Sequence, residues 1–290
     1  MRIRQAFIAI AASLLLACNA SGVRKPLMGG DISGEQSVRA VAVDGDSAAL
    51  VVAGGDSASA ADSLELPALR SGSGEQILRR SAYTASYNAA TKLPHWVAWT
   101  ITAEKLEGTH GRKGLKFRED EEVPEPRATD WDYYNSGYDR GHMCPSADCK
   151  WSAEAQLESF LFTNACPQVH GLNSGDWNEI EQQCRRWARQ YGTLYIVSGP
   201  ILYRGVHKRI GKNKVVVPEA FFKVVLRMGE SPRAIGFIYK NVSGDRPKSS
   251  YVNTVDEVER IAGFDFFPAL PDEVEDRVEA EADIEEWGIR

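Results

Sequence analysis

The chain of 290 residues carries no surplus of positive charge: 40 acidic residues outweigh 34 Lys and Arg, for a formal net charge of −6. That excludes a broadly basic coat of the kind that grips nucleic acid by charge alone. No helix-turn-helix, zinc-finger or RNA-recognition pattern accompanies its basic residues, so nothing reads base sequence. Cysteine is scarce, at five, and none falls in paired Cys-x-x-Cys units. No strand-helix repeat recurs, which argues against a parallel α/β sheet. The charge deficit is local. Residues 271–290 hold nine acidic and two basic residues, so the remaining 270 sum to +1. An enzyme that must release its product needs only local positive charge beside a metal ion.

At the N-terminus, Arg2 and Arg4 precede an apolar stretch over residues 6–17, shorter than the roughly 20 residues a bilayer span requires and of signal-peptide length. Its end, Leu15-Leu16-Ala17-Cys18, resembles a bacterial lipoprotein cleavage box, which implies lipidation of Cys18. An ordinary secretory signal is the alternative, and both predict export: a membrane-anchored lipoprotein in the periplasm or on the cell surface. Residues 19–63 are rich in Gly, Ser, Ala and Asp and poor in aromatics, a composition that cannot offset ordering entropy. The expected organisation is a signal peptide at 1–18, a flexible tether at 19–63, a catalytic domain at 64–278 and an acidic, solvated tail at 279–290.

Within the domain, residues 96–101, 193–197, 221–226 and 234–239 are β-branched or aromatic runs bounded by Gly, Pro or polar residues, and are predicted strands. Ser152 is placed to cap a helix whose Leu157, Phe160 and Leu161 share a face, with Thr163 and Asn164 ending it. A second helix begins near Asp176, with Trp177, Ile180, Cys184, Trp187 and Tyr191 spaced three and four apart. Strands outnumber helices, so the predicted class is α+β, a mostly antiparallel sheet with helices packed on it.

The run Asp139-Arg140-Gly141-His142 carries the chemistry. On a strand, alternate residues share a face, which sets the Arg140 guanidinium beside the His142 imidazole with Asp139 pointing away. The first is a fork of donors matched to phosphate oxygens, and the second accepts a proton from water near neutral pH. Gly141 is read as leaving room for a phosphate backbone. Downstream come Thr163-Asn164-Ala165-Cys166-Pro167-Gln168, then Leu172-Asn173-Ser174-Gly175-Asp176-Trp177, then Glu181. Together these resemble the DNA/RNA non-specific endonucleases, the sugar-non-specific branch of the ββα-metal (His-Me finger) nucleases. Leu93-Pro94-His95-Trp96-Val97-Ala98-Trp99, Val197-Ser198-Gly199-Pro200 and Asp265-Phe266-Phe267-Pro268-Ala269-Leu270-Pro271 extend the resemblance over about residues 66–278.

The resemblance implies a central sheet carrying a β-hairpin and helix that clasp a metal. It casts His142 as general base, Asn173 as the ligand of Mg²⁺ (or Mn²⁺ or another divalent cation), Glu181 as the group that orients metal-bound water, and Asn164 as a further active-site residue. DNA and RNA are the implied substrates, with no specific protein partner. Read on their own, Asn173-Ser174-Gly175 also suits a turn and helix cap, and Glu181 also suits an i to i+4 pair with Arg185. Arg185, Arg186 and Arg189 are expected to form a basic stripe on the opposite helix face. In an exported chain, Cys144, Cys149, Cys166 and Cys184 are candidates for disulfides, with a zinc site built on His142 the competing use. A catalytically inactive surface lipoprotein that binds nucleic acid or a protein is the alternative function.

Overall fold

The computed structural model describes residues 64–68, 75–244 and 246–289. The signal peptide, Cys18 and the whole tether lie outside the described residues. Seven strands form one antiparallel sheet: β1 (Gln76–Arg79), β2 (Thr84–Asn88), β3 (Leu93–Ile101), β6 (Leu194–Ile201), β9 (Ala220–Arg227), β10 (Arg233–Lys240) and β11 (Val252–Asn253), paired in that order. Between β3 and β6 the chain leaves the sheet. It builds the short helices α1 (Ala103–Leu106) and α2 (Asp130–Tyr133), the strand β4 (Asp139–His142), the helix α3 (Ala153–Glu158), the strand β5 (Ala165–Gln168) and the long helix α4 (Trp177–Tyr191). A small ribbon of β7 (Arg209–Ile210) and β8 (Val215–Val216) follows β6, and α5 (Val255–Ala262) and α6 (Asp272–Glu279) close the chain.

The central strands are buried on both faces, which is why β9 reads as a near-continuous apolar run instead of an alternation. On one face, Trp177, Ile180, Cys184 and Trp187 of α4 pack with Phe221, Val225, Ile235 and Phe237. On the other, Val255 and Val258 of α5 and Val278 of α6 pack with Trp96, Phe222, Val224 and Phe266. The α+β class and the main strands follow the sequence expectation.

Three local expectations change. Helix α3 is capped by Ser152, whose hydroxyl accepts the Ala155 N–H, but it ends at Glu158; Leu157 is exposed, and Phe162–Asn164 form a separate 3-10 turn. The last residues are not a solvated tail: Trp287 is buried, its carbonyl accepts the Trp187 indole N–H at 2.8 Å, and Glu286 accepts from Arg227 and Arg233. The four cysteines of the domain are free, buried thiols. Cys144 and Cys149 approach to 3.7 Å between sulfurs, well beyond the roughly 2.05 Å of a disulfide. Burial pushes the Cys144 and Cys166 thiols up and that of Cys184 up to about 12, so these sulfurs are packing groups and poor metal ligands.

Candidate active site

Strands β4 and β5 form an antiparallel two-stranded ribbon, with Gly141 opposite Cys166 and His142 opposite Ala165. Gly141 is required by close packing inside the ribbon: a Cβ there would sit 2.0 Å from Gln168 Oε1. The space read from sequence as room for a phosphate is thus filled by a neighbouring side chain. Helix α4 is tied to the ribbon by the Trp177 indole, which donates to the His142 carbonyl at 3.2 Å. The sheet holds the ribbon through Ser198 of β6, whose hydroxyl donates to the Met143 carbonyl at 3.1 Å. Hairpin, helix and sheet are thereby one unit.

Arg140, His142, Asn173 and Glu181 line a single cavity of about 500 Å³. Arg112, Lys150 and Arg185 line it too, so four cations face one carboxylate in a chain that is acidic overall. A larger cleft of about 790 Å³ beside α2 has six carboxylates against Arg80, Arg118 and Arg127, a poor match for a polyanion.

The His142 ring packs against Phe117 and Phe160 at centroid distances of 4.7 and 5.0 Å, and its Nε2 has no hydrogen-bond partner. Burial, helped by the Arg112 charge, lowers its pKa to about 3. The imidazole is therefore neutral throughout the physiological range, with a lone pair ready to accept a proton. Arg140 donates from Nε to Asp130 Oδ1 at 2.7 Å and from a terminal nitrogen to the Asp130 carbonyl at 3.1 Å, and it lies over the Tyr133 ring. This anchors the guanidinium by one edge, and Arg140 lines the cavity.

Asn173 sits in a π-helical turn, Leu172–Asp176, bent at Gly175 where α4 begins. Its Nδ2 donates to Asp139 Oδ2 at 2.9 Å, and the same oxygen pairs with His170 at 2.8 Å. Among the described residues no donor takes the Asn173 Oδ1. Asp139, read from sequence only as pointing away from Arg140 and His142, thus fixes the amide that faces the cavity.

Glu181 makes no ion pair with Arg185 among the described residues. Arg185 instead pairs with the buried Asp148 at 2.9 Å, and Asp148 also accepts the Trp99 indole N–H at 3.1 Å. The stripe expected on the opposite helix face is therefore split, with Arg185 at the cavity and Arg186 and Arg189 outside it. Burial pushes the Glu181 carboxyl up to about 7, against the pull of Lys223, Arg185 and Arg112. Lys223 is 1% exposed and lies between the Trp99 and Trp177 rings, 4.7 and 4.5 Å from their centroids, directly behind the site.

Asn164 stands apart from this group. It is fully buried, accepts the Cys144 N–H and donates to the Cys144 and Ser159 carbonyls, each at 2.8 Å. Its polar atoms are committed to backbone, and it does not line the cavity. A zinc site on His142 also finds no support: the sole group of three or more His, Cys, Asp or Glu ligands among the described residues lies at Asp256, Glu259 and Glu279. Sequence reasoning missed Arg112, Lys150, Asp148 and Lys223, none of which shares a motif with the residues it serves. It also missed Trp131 and Tyr134, which are 80% and 63% exposed, stack edge to face, and lie on and just after α2 beside the Asp130 anchor of Arg140.

A family model of the DNA/RNA non-specific endonucleases matches residues 62–273. The chain belongs to that family. Among its relatives, mitochondrial nuclease EXOG of Xenopus laevis is 34% identical over 204 residues, 65% of this chain and 57% of that protein. Mitochondrial endonuclease G of Homo sapiens is 32% identical over 209 residues, 67% and 70% of the two chains. Mitochondrial nuclease 1 of Schizosaccharomyces pombe is 37% identical over 209 residues, 65% of each. The endonuclease fold is shared with a solved EndoG/EndoGI complex, described as showing the mechanism of EndoG inhibition, at a TM-score of 0.68 and 28% identity over 75% of this chain and 95% of that one. These relatives overturn the expected periplasmic or cell-surface lipoprotein, since they are mitochondrial nucleases. Among the described residues no helix is long and apolar enough to cross a membrane.

Proposed function

We propose that the chain is a divalent-metal-dependent endonuclease that hydrolyses phosphodiester bonds of DNA and RNA with little sequence preference, leaving 5′-phosphate ends. The observation that carries this is the neutral His142 imidazole lining one cavity with four cations. His142 takes a proton from the attacking water, and Arg140 binds a phosphate oxygen with its unspent edge. The donor set suits a hard, mostly hydrated ion such as Mg²⁺: Asn173 presents a carbonyl oxygen whose amide is held by Asp139, and Glu181 presents a carboxyl group with no ion pair among the described residues. When bound, such an ion neutralises phosphate charge and stabilises the departing 3′ oxygen. Glu181 would be the carboxyl group that orients water at such an ion. Arg112, Lys150 and Arg185 add phosphate contacts that read no bases.

Trp131 and Tyr134 offer π faces on which unpaired bases stack whatever their identity, which favours single-stranded or locally opened substrate. The test is the full chain with plasmid and with total RNA, with and without EDTA, beside His142→Ala. Cleavage of both substrates, blocked by EDTA and lowered about 10²–10⁴-fold in the variant, is expected. Wild-type rates in His142→Ala, or full activity in EDTA, would overturn the reading.

A further inference from the structure

Helices α5 and α6 lie on the sheet face opposite α4 and the catalytic cavity. Asp256 and Glu259 share one face of α5, three residues apart, and Glu279 ends α6. One carboxylate oxygen from each lies within 4.8 Å of the others. Two further observations separate this trio from an ordinary acidic surface. Glu279 is only 5% exposed, and its Oε1 is buried with no hydrogen-bond partner. The largest charge effects on it come from Glu259, Glu275, Asp256 and Asp265, each a carboxylate. The nearby Arg260 is held by two hydrogen bonds to Glu257.

A buried, unpaired carboxyl set mainly among like charges must either hold a proton or be completed by a cation that takes the proton's place. Glu259 is pre-set for that role, since one of its oxygens already accepts the Phe266 N–H at 2.6 Å. We propose that Asp256, Glu259 and Glu279 form a second, structural cation site that takes calcium and ties α5 to α6. The choice of ion follows from the donor set: magnesium is usually held by one or two carboxylates and keeps several waters, whereas calcium takes six to eight oxygens from flexible carboxylate cages. Three carboxylates also match calcium's hard, oxygen-only preference, and the exposed side of Asp256 leaves room for the waters that fill its shell.

The test uses the full chain stripped of metal by EDTA and dialysed, with thermal unfolding followed as calcium chloride alone is added. At about a hundredfold excess over its dissociation constant, calcium should raise Tm by roughly 5–10 °C. The double variant Asp256→Asn, Glu259→Gln should lose that rise. Its metal-free Tm should equal or exceed that of wild type, because the repulsion on Glu279 is relieved. Asn173→Ala should keep the rise, which separates this site from the catalytic cavity. Equilibrium dialysis of wild-type protein in excess magnesium should count one bound calcium. No calcium-dependent rise in wild type, an equal rise in the double variant, or no bound calcium in dialysis each overturns the site.

Discussion

Replacing Asn164 by alanine separates a structural clamp from a catalytic residue. The side chain makes three hydrogen bonds of 2.8 Å to buried backbone: one from the Cys144 N–H, one to the Cys144 carbonyl and one to the Ser159 carbonyl. Alanine deletes all three and leaves no room-filling polar substitute. A buried backbone group stranded without a partner costs roughly 1–3 kcal/mol, so the three together cost about 3–9 kcal/mol. That is a large share of the roughly 5–15 kcal/mol that holds a domain folded. For a domain of this size even the low end corresponds to a fall in Tm of about 6–12 °C. Denaturant unfolding by circular dichroism gives the stability, and turnover is then measured at a temperature where the variant is folded. Since Asn164 does not line the cavity, turnover of the folded variant should stay within about tenfold of wild type, well short of the roughly 10²–10⁴-fold loss expected on removing a general base. A variant that keeps its stability within about 1 kcal/mol yet loses turnover a hundredfold would refute the clamp and return Asn164 to the chemistry.

Three further outcomes are expected. Asp148→Ala strands Arg185 and the Trp99 indole, and should cost about 3–5 kcal/mol in urea unfolding; a loss below 1 kcal/mol would show that water repairs the gap. For His142, the folded pKa of about 3 lies below the unfolded value of about 6.5, so the unfolded chain takes the proton first and stability falls as pH drops from 6.5 toward 3. Relative to His142→Gln, wild type should therefore lose up to about 1.4 kcal/mol per pH unit across that window, less where water reaches the ring, and parallel stability curves from pH 7 to 4 would refute the buried neutral imidazole. Trp131→Ala should leave Tm unchanged, since the ring is 80% exposed, while weakening single-stranded DNA binding in a His142→Ala background by roughly 1–3 kcal/mol. Equal affinity of the two proteins would remove the stacking platform.

Local pattern by itself determined a good deal of this protein. Periodicity marked β3, β6, β9, β10 and α4, because burying one stripe of a helix, or both faces of a central strand, leaves its imprint on neighbouring residues. The tetrad 139–142 was legible for the same reason, through strand alternation, whereas the site roles of Asn173 and Glu181 came from the resemblance to the endonuclease family. Tertiary structure decided what is carried by contacts between segments far apart in sequence. Asp139 meets Asn173 and Asp148 meets Arg185 across 34 and 37 residues, and no spacing rule links such pairs. The same holds for Gly141, whose missing Cβ answers to Gln168 on the partner strand, and for Asn164, whose amide closes on a loop twenty residues away. It holds for the cysteines, whose free thiols in a packed core follow from sulfur positions that sequence spacing does not specify. The ionisation of His142 and Glu181 also belongs to the fold, because desolvation depends on what is packed around a group and not on what precedes it in the chain.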